Sequence, residues 1–427
     1  MSEIRICGYR PLSGEIKIQG SKNGALPILA ASILQKGTVR IDNVPAIQDV
    51  DCMVGILTSI GCRCEREGSC LSIDASCLEG AKIPGEDVGK MRSSILLMGA
   101  LLGRLKEAET WYPGGCSIGS RPIDLHLLAF SRLGAHVQED VEGGRIRASA
   151  AALKGDTICL PFPSVGATEN ALLAAVLAEG ETEICGAARE PEIASLCAFL
   201  GQMGAKITGS GTSRLCIQGV SRLHGTAFTI PGDRIAAGTY LTAVTATGGD
   251  VKILGAPWED MQEVARVLSQ AGAAVSPVKG EDGKAAGIHI RMEGRPKPLR
   301  LSTGPHPAFP TDLQSPMLAV LSRAEGISQV QENVFEDRFK TVKELWKMGA
   351  QIEVCRNEAV ISGKHRLHGA RVTALDLRGG AALVAAALAA EGETRVSGCA
   401  HIERGYEDIC RDLRALGGRI WEHAQDT

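Results

Sequence analysis

The chain has 427 residues, enough for two large domains that each bury a core, and a formal net charge of −3. That balance, with aromatic residues at 4%, gives no ground for a nucleic-acid or membrane partner, so affinity for anions must come from local clustering. The start Met1-Ser2-Glu3-Ile4-Arg5 lacks a secretory apolar run, the aliphatic stretch 381–390 falls short of the ~20 residues of a bilayer span, and fourteen cysteines without a CxxC pair suit free thiols in a reducing cytoplasm.

In chain order, the first element with chemical character is Gly20-Ser21-Lys22-Asn23-Gly24-Ala25-Leu26-Pro27, which sets a lysine and an amide at the mouth of an apolar helix. A helix N-terminus already offers unpaired N–H donors and positive partial charge, so a cation there is costly unless an anion joins it. Lys90-Met91-Arg92-Ser93-Ser94 repeats the logic with Arg92. Then comes Tyr112-Pro113-Gly114-Gly115-Cys116-Ser117-Ile118-Gly119-Ser120-Arg121-Pro122, a lone thiol in a glycine-rich segment with Arg121 downstream. This reads as a loop able to move, and a nearby guanidinium favours the thiolate. In the second half, Asp312 stands between the stiff run Gly304-Pro305-His306-Pro307-Ala308-Phe309-Pro310 and an apolar helix. It suits either an N-cap or a rigidly placed general base. Arg338 follows in Val334-Phe335-Glu336-Asp337-Arg338-Phe339, Arg378 in Asp376-Leu377-Arg378-Gly379, and Arg404 in His401-Ile402-Glu403-Arg404-Gly405-Tyr406.

Between these stretches one phrase recurs six times at intervals of roughly 70 residues: helix, glycine, short strand, with its glycines at Gly61, Gly134, Gly204, Gly272, Gly349 and Gly417. A second phrase of the same kind, out of phase, has copies at Gly37, Gly180, Gly248-Gly249, Gly326 and Gly392. Glycine just past a helix accepts a left-handed cap, and the alternation after it is that of a half-buried strand. Each unit therefore holds two helices interleaved with strands, three units to a domain. The helices after Lys22, Met91, Thr168, Ile235, Leu313 and Arg378 are apolar enough to predict burial on most sides. No P-loop, GxGxxG or HExxH is present, so thiol, carboxylate and cations predict group transfer involving a small polyanion, with no cofactor and no metal.

The blocks GSKNGALPILAA, MRSSILLMGALLGR, PGGCSIGSRPIDLH, PSVGATEN, IPGDRIAAGTY, PHPAFPTDLQ, VFEDRF, DLRGGAAL and HIERGYE, in this order, closely resemble the UDP-N-acetylglucosamine 1-carboxyvinyltransferase family of enolpyruvyl transferases. The resemblance implies an α/β fold of two inverse α/β-barrel-like domains, each of three βαβαββ units. One domain would span 22–231 with the Cys116 loop, the other 1–21 plus 232–427, with substrates in the cleft between them. It implies transfer of the enolpyruvyl group of phosphoenolpyruvate to the 3'-hydroxyl of UDP-N-acetylglucosamine with release of phosphate. Lys22, Asn23, Arg92, Arg121 and Arg404 would hold phosphoenolpyruvate, and Asp312 would take the hydroxyl proton. Cys116 would protonate the methylene carbon and could form a covalent adduct. Arg92, Arg121, Pro122, Ile123, Asp124, Leu125, Ser164, Val165, Asp312 and Val334 would contact the sugar nucleotide, with Arg234, Arg338 and Arg378 in support. Phe162 stands where many relatives carry lysine, which removes one charge contact to the nucleotide. Retention of Cys116 implies alkylation by fosfomycin, an epoxide mimic of phosphoenolpyruvate. The alternatives are the sister transferase acting on 3-phosphoshikimate and a silent paralogue that only binds UDP-sugar.

Overall fold

The computed structural model describes residues 2–78, 80–114 and 118–424. It divides into two compact units, an inserted one (Gly20–Cys116 and Arg121–Pro231) and a split one (Met1–Gln19, Ser117–Ser120 and Gly232–Thr427). Each has three small sheets backed by three nearly all-apolar helices. No helix among the described residues is long and apolar enough to cross a membrane.

The sheets share one plan. In the inserted unit, Ala227–Thr229 pairs in parallel with Thr38–Asp42, then come Cys70–Asp74 and Arg63–Glu67, both antiparallel to their neighbours. The set Thr157–Cys159, Glu181–Cys185, Arg214–Gln218, Lys206–Thr208 repeats it. In the third sheet, Glu107–Trp111, Arg145–Ser149 and His136–Asp140, the parallel partner shrinks to a single bridge from Lys82 to Glu109. The split unit gives three full copies. Two of them borrow from the chain's beginning: Leu12–Lys17 is the parallel partner of Gly249–Leu254, and Ser2–Cys7 lies between Glu393–Ser397 and Arg419–Ala424.

All six glycines of the first phrase follow a helix with φ between +83° and +105°, a conformation that costs other residues about 1 kcal/mol or more. The second phrase has a sixth copy that carries no glycine. The helix Leu96–Leu105 ends on Lys106, itself left-handed at φ +63°, before the strand Glu107–Trp111.

The buried helices are Lys22–Ala31, Leu96–Leu105 and Val165–Ala175 in the inserted unit, and Arg234–Thr247, Gln314–Leu321 and Leu377–Ala389 in the split unit. The third begins three residues before Thr168, because Ser164 caps it by accepting the Ala167 N–H at 3.4 Å. Close approach needs small residues. A Cβ on Gly99 would lie 2.5 Å from Asn170 Oδ1, and one on Gly238 would lie 2.4 Å from a Leu313 methyl.

Basic side chains close the C-terminal ends of these helices, where carbonyls lack partners. Arg104 donates to the carbonyls of Ile33 and Gln35 at 2.7–2.8 Å, and also to that of Ala75 after the strand Cys70–Asp74, and Lys106 donates to that of Gly103 at 2.7 Å. In the split unit, Arg323 reaches Ala246 at 3.0 Å and Ala389 at 3.4 Å. Cations at these ends follow the helix dipole. Those at the opposite ends, such as Lys22 and Arg234, run against it.

Candidate active site

In the inserted unit, Ser21 caps the helix that opens with Lys22, accepting the Gly24 N–H at 3.1 Å. Lys22 is buried at the first helical position, its Nζ 2.7 Å from Asp49 Oδ2. Asp49 is buried in the helix Gln48–Ser59. Asn23 follows Lys22, half-buried. An ion pair this enclosed must be kept in balance, since removing one partner of such a pair costs about 3–5 kcal/mol.

Arg92 opens the 3-10 turn Arg92–Ile95, half-buried. It donates to the carbonyls of Arg121 and Pro122, so the stretch before the helix Asp124–Arg132 is tied to it. Arg121 and Leu125 are half-buried, Pro122 and Asp124 exposed, and Ile123 buried. Burial, and then the charge of Arg121, holds the Arg92 guanidinium down to about 10. A guanidinium gives up its proton at no physiological pH, so this shift records a buried positive charge crowded by a second one.

His126 reports the same field. Burial first, then Arg92 and Arg121, holds it down to about 3, so the ring is neutral at ordinary pH. Its tautomer follows from its neighbour. Asn170 Oδ1 accepts the Gly99 N–H at 3.0 Å, and its amide nitrogen donates to Ile95 O at 3.0 Å and faces His126 Nδ1 at 2.7 Å. Nδ1 must therefore accept, which leaves the proton on Nε2. Glu169, on the same helix as Asn170, is pushed well above the carboxylate range by burial and by Glu192 and Glu190. Ser164 and Val165 sit half-buried at this helix's start, and Phe162 before them is exposed.

In the split unit, Asp312 lies inside the 3-10 turn Thr311–Leu313. It caps no helix: Pro310 holds the cap position, and the Asp312 carboxylate accepts from Arg338 and lies 3.7 Å from Arg378. Burial pushes this carboxyl up, but Arg338, Arg378 and Arg234 outweigh it and hold it well below the usual range. Both arginines are buried. Asp376 caps the helix Leu377–Ala389 through the Arg378 and Gly379 N–H groups, and Asp233 caps the helix that opens with half-buried Arg234. Arg378 donates to Tyr406 Oη at 3.2 Å, and Tyr406 meets Thr239 at 2.7 Å.

Arg404 departs from the helix-start pattern. It closes the short helix Ala400–Glu403 at its C-terminal end, half-buried. Gln19 staples the turn that follows, donating to Gly405 O at 3.0 Å and accepting the Glu407 N–H at 2.9 Å. Half-buried Val334 gives its N–H to Glu332 at 2.9 Å. Cys116 lies outside the described residues; nearby, Ile118 is buried and its carbonyl accepts the Asp337 N–H at 3.2 Å.

The structure thus gathers Arg92 and Arg121 around His126, and Asp312, Arg338 and Arg378 with Arg234 close enough to act on the carboxylate. Asp49, His126, Asn170, Glu169, Glu332 and Tyr406 are partners that reading along the chain does not supply. Asn170, Glu332 and Tyr406 stand 75, 21 and 28 residues from Ile95, Thr311 and Arg378, and no periodicity marks them.

The chain is similar over its full length to known proteins. The family model for EPSP synthase (3-phosphoshikimate 1-carboxyvinyltransferase) matches residues 6–413. A UDP-N-acetylglucosamine 1-carboxyvinyltransferase 2 of Caldanaerobacter subterraneus subsp. tengcongensis is 46% identical, over 98% of this chain and 99% of its own. A UDP-N-acetylglucosamine 1-carboxyvinyltransferase of Nitratidesulfovibrio vulgaris is 45% identical over the whole of both. The crystal structure of the enolpyruvyl transferase NikO from Streptomyces tendae superposes with a TM-score of 0.87 at 25% identity, covering 100% of this chain and 99% of that one. EPSP synthase from Acinetobacter baumannii shares the fold, with a TM-score of 0.77 at 18% identity over 99% of this chain and 100% of its own. From its two three-sheet units to these full-length likenesses, the chain belongs to the EPSP synthase family of carboxyvinyltransferases, alongside the UDP-N-acetylglucosamine 1-carboxyvinyltransferases.

Proposed function

We propose that this protein transfers the enolpyruvyl group of phosphoenolpyruvate to the 3'-hydroxyl of UDP-N-acetylglucosamine, releasing phosphate, as a cytoplasmic step of peptidoglycan precursor synthesis. The observation that carries this reading is the 45–46% identity, end to end, to proteins of that name. In the reaction, the hydroxyl oxygen bonds to C2 of phosphoenolpyruvate while its proton leaves to Asp312 and a proton reaches the methylene carbon from Cys116. Loss of a proton from that carbon and of phosphate from C2 then restores the double bond. Lys22, Asn23, Arg92, Arg121 and Arg404 bind phosphoenolpyruvate, a ligand that needs several cations at once. The same cations stabilise the phosphate-bearing tetrahedral intermediate. Arg92, Arg121, Pro122, Ile123, Asp124, Leu125, Ser164, Val165, Asp312 and Val334 contact the sugar nucleotide. Arg234, Arg338 and Arg378 keep Asp312 ionised. That pairing makes Asp312 a weak base, so its value lies in placement.

Phosphate release with both substrates tests the reading, with fosfomycin labelling of Cys116 followed by mass spectrometry in the same preparation. Turnover with UDP-N-acetylglucosamine and none with 3-phosphoshikimate is expected, together with one adduct on Cys116. The reverse substrate preference, or sugar-nucleotide binding without turnover, overturns it.

A further inference from the structure

We infer that Glu332 is a positioning residue for the reaction, setting the Asp312 carboxylate through Thr311 and Arg338. The inference rests on the proposed role of Asp312 as the group that takes the sugar hydroxyl proton.

Glu332 follows the strand Ile327–Gln331, is 2% exposed, and has its N–H held by Asn357 O at 2.8 Å. All its side-chain hydrogen bonds converge on one oxygen. Oε1 accepts from Thr311 Oγ1 at 2.9 Å, Val334 N at 2.9 Å and Phe335 N at 3.1 Å. Oε2 is buried with no hydrogen-bond partner among the described residues. A buried carboxylate with a bare oxygen is a poor choice for a loop staple alone, since a neutral amide oxygen would cap the same two N–H groups at lower desolvation cost.

The arrangement makes sense from the side of Arg338. The Thr311 O–H donates to Glu332, which turns a lone pair of that hydroxyl towards the Arg338 Nε–H at 3.2 Å. The Phe335 ring, its backbone fixed by Glu332, lies 5.3 Å from the Arg338 guanidinium carbon. One carboxylate therefore grips both supports of the arginine that donates to Asp312. Thr311 and Asp312 are also neighbours in one 3-10 turn, so Glu332 fixes the base from its own backbone as well.

Thr311→Val keeps the side-chain shape and the two backbone caps on Glu332 but deletes the relay; Thr311→Ser restores the hydroxyl. We expect Thr311→Val to lower kcat about tenfold, the worth of one charge-assisted hydrogen bond, with KM for phosphoenolpyruvate changed by less than about twofold. Thr311→Ser should recover most of the loss. In Thr311→Val the Asp312 carboxyl, followed by carbon NMR, should titrate at higher pH, because a looser Arg338 stabilises the charged form less. An unchanged kcat with an unmoved titration overturns the inference. So does a loss of activity that tracks a lower melting temperature and that serine does not rescue, which would make Glu332 a staple only. Should the wild type release no phosphate, the proposed reaction fails, and the Asp312 titration still decides whether the relay exists.

Discussion

Both units set cations at the starts of buried helices, yet they surround them differently. In the inserted unit Arg92 and Arg121 repel one another and add to the burial that keeps His126 neutral, while Lys22 has Asp49 against it. In the split unit Arg338 and Arg378 close on Asp312, and Asp233 and Asp376 cap the helices that begin with Arg234 and Leu377. In the proposed reaction the first arrangement offers positive potential to an incoming anion. The second is balanced internally and keeps a carboxylate charged and fixed. On that proposal, one helix-start device serves as a receiver in one unit and as a clamp in the other.

The contrast breaks most severely if the clamp loses its carboxylate. Asp312→Asn should lower turnover about a thousandfold, within the range for loss of a positioned base, while calorimetric affinity for phosphoenolpyruvate stays close to wild type. The same variant has a pH signature. A carboxyl held below its unfolded value of about 3.9 adds stability above that pH and loses it as pH falls through the folded value. Urea unfolding should therefore weaken less in the variant than in the wild type as pH drops below about 4. Next in size is the receiver. Arg92→Ala should weaken phosphoenolpyruvate binding about ten- to a hundredfold, the worth of hydrogen bonds to a charged group. It should also raise the His126 titration seen by nitrogen NMR from about 3, leaving it below 6.5 because burial remains. A receiver role would be refuted by unchanged affinity with His126 unmoved. The smallest effect concerns scaffolding. Gly99→Ala pushes a methyl onto Asn170 and should cost about 1–3 kcal/mol in thermal unfolding.

The scaffold was legible where local chemistry decides it. Six glycines past six helices announce the repeat, because a left-handed cap leaves a mark on sequence. The copy at Lys106 was hidden because lysine there adopts glycine's conformation while its Nζ holds the Gly103 and Leu177 carbonyls. The helix-start cations were legible one at a time, since a charge interrupting an apolar run is visible locally. Their partners were not. Asn170 meets the Arg92–Ile95 turn from a separate helix, and Glu332 reaches Thr311 from the end of a strand. Such pairings depend on which elements the fold brings side by side, and no spacing records that. Asp312 shows the limit from the other direction: its position suits a cap, and only the buried arginines beside it settle otherwise.

The placement of Ser2–Cys7 between Glu393–Ser397 and Arg419–Ala424 has a consequence for biogenesis. Once Ser2–Cys7 is made, its neighbours follow only after the whole inserted unit, so that sheet closes late. Until then the strand is an unsatisfied edge, with every sheet of the inserted unit already synthesised before its partners emerge.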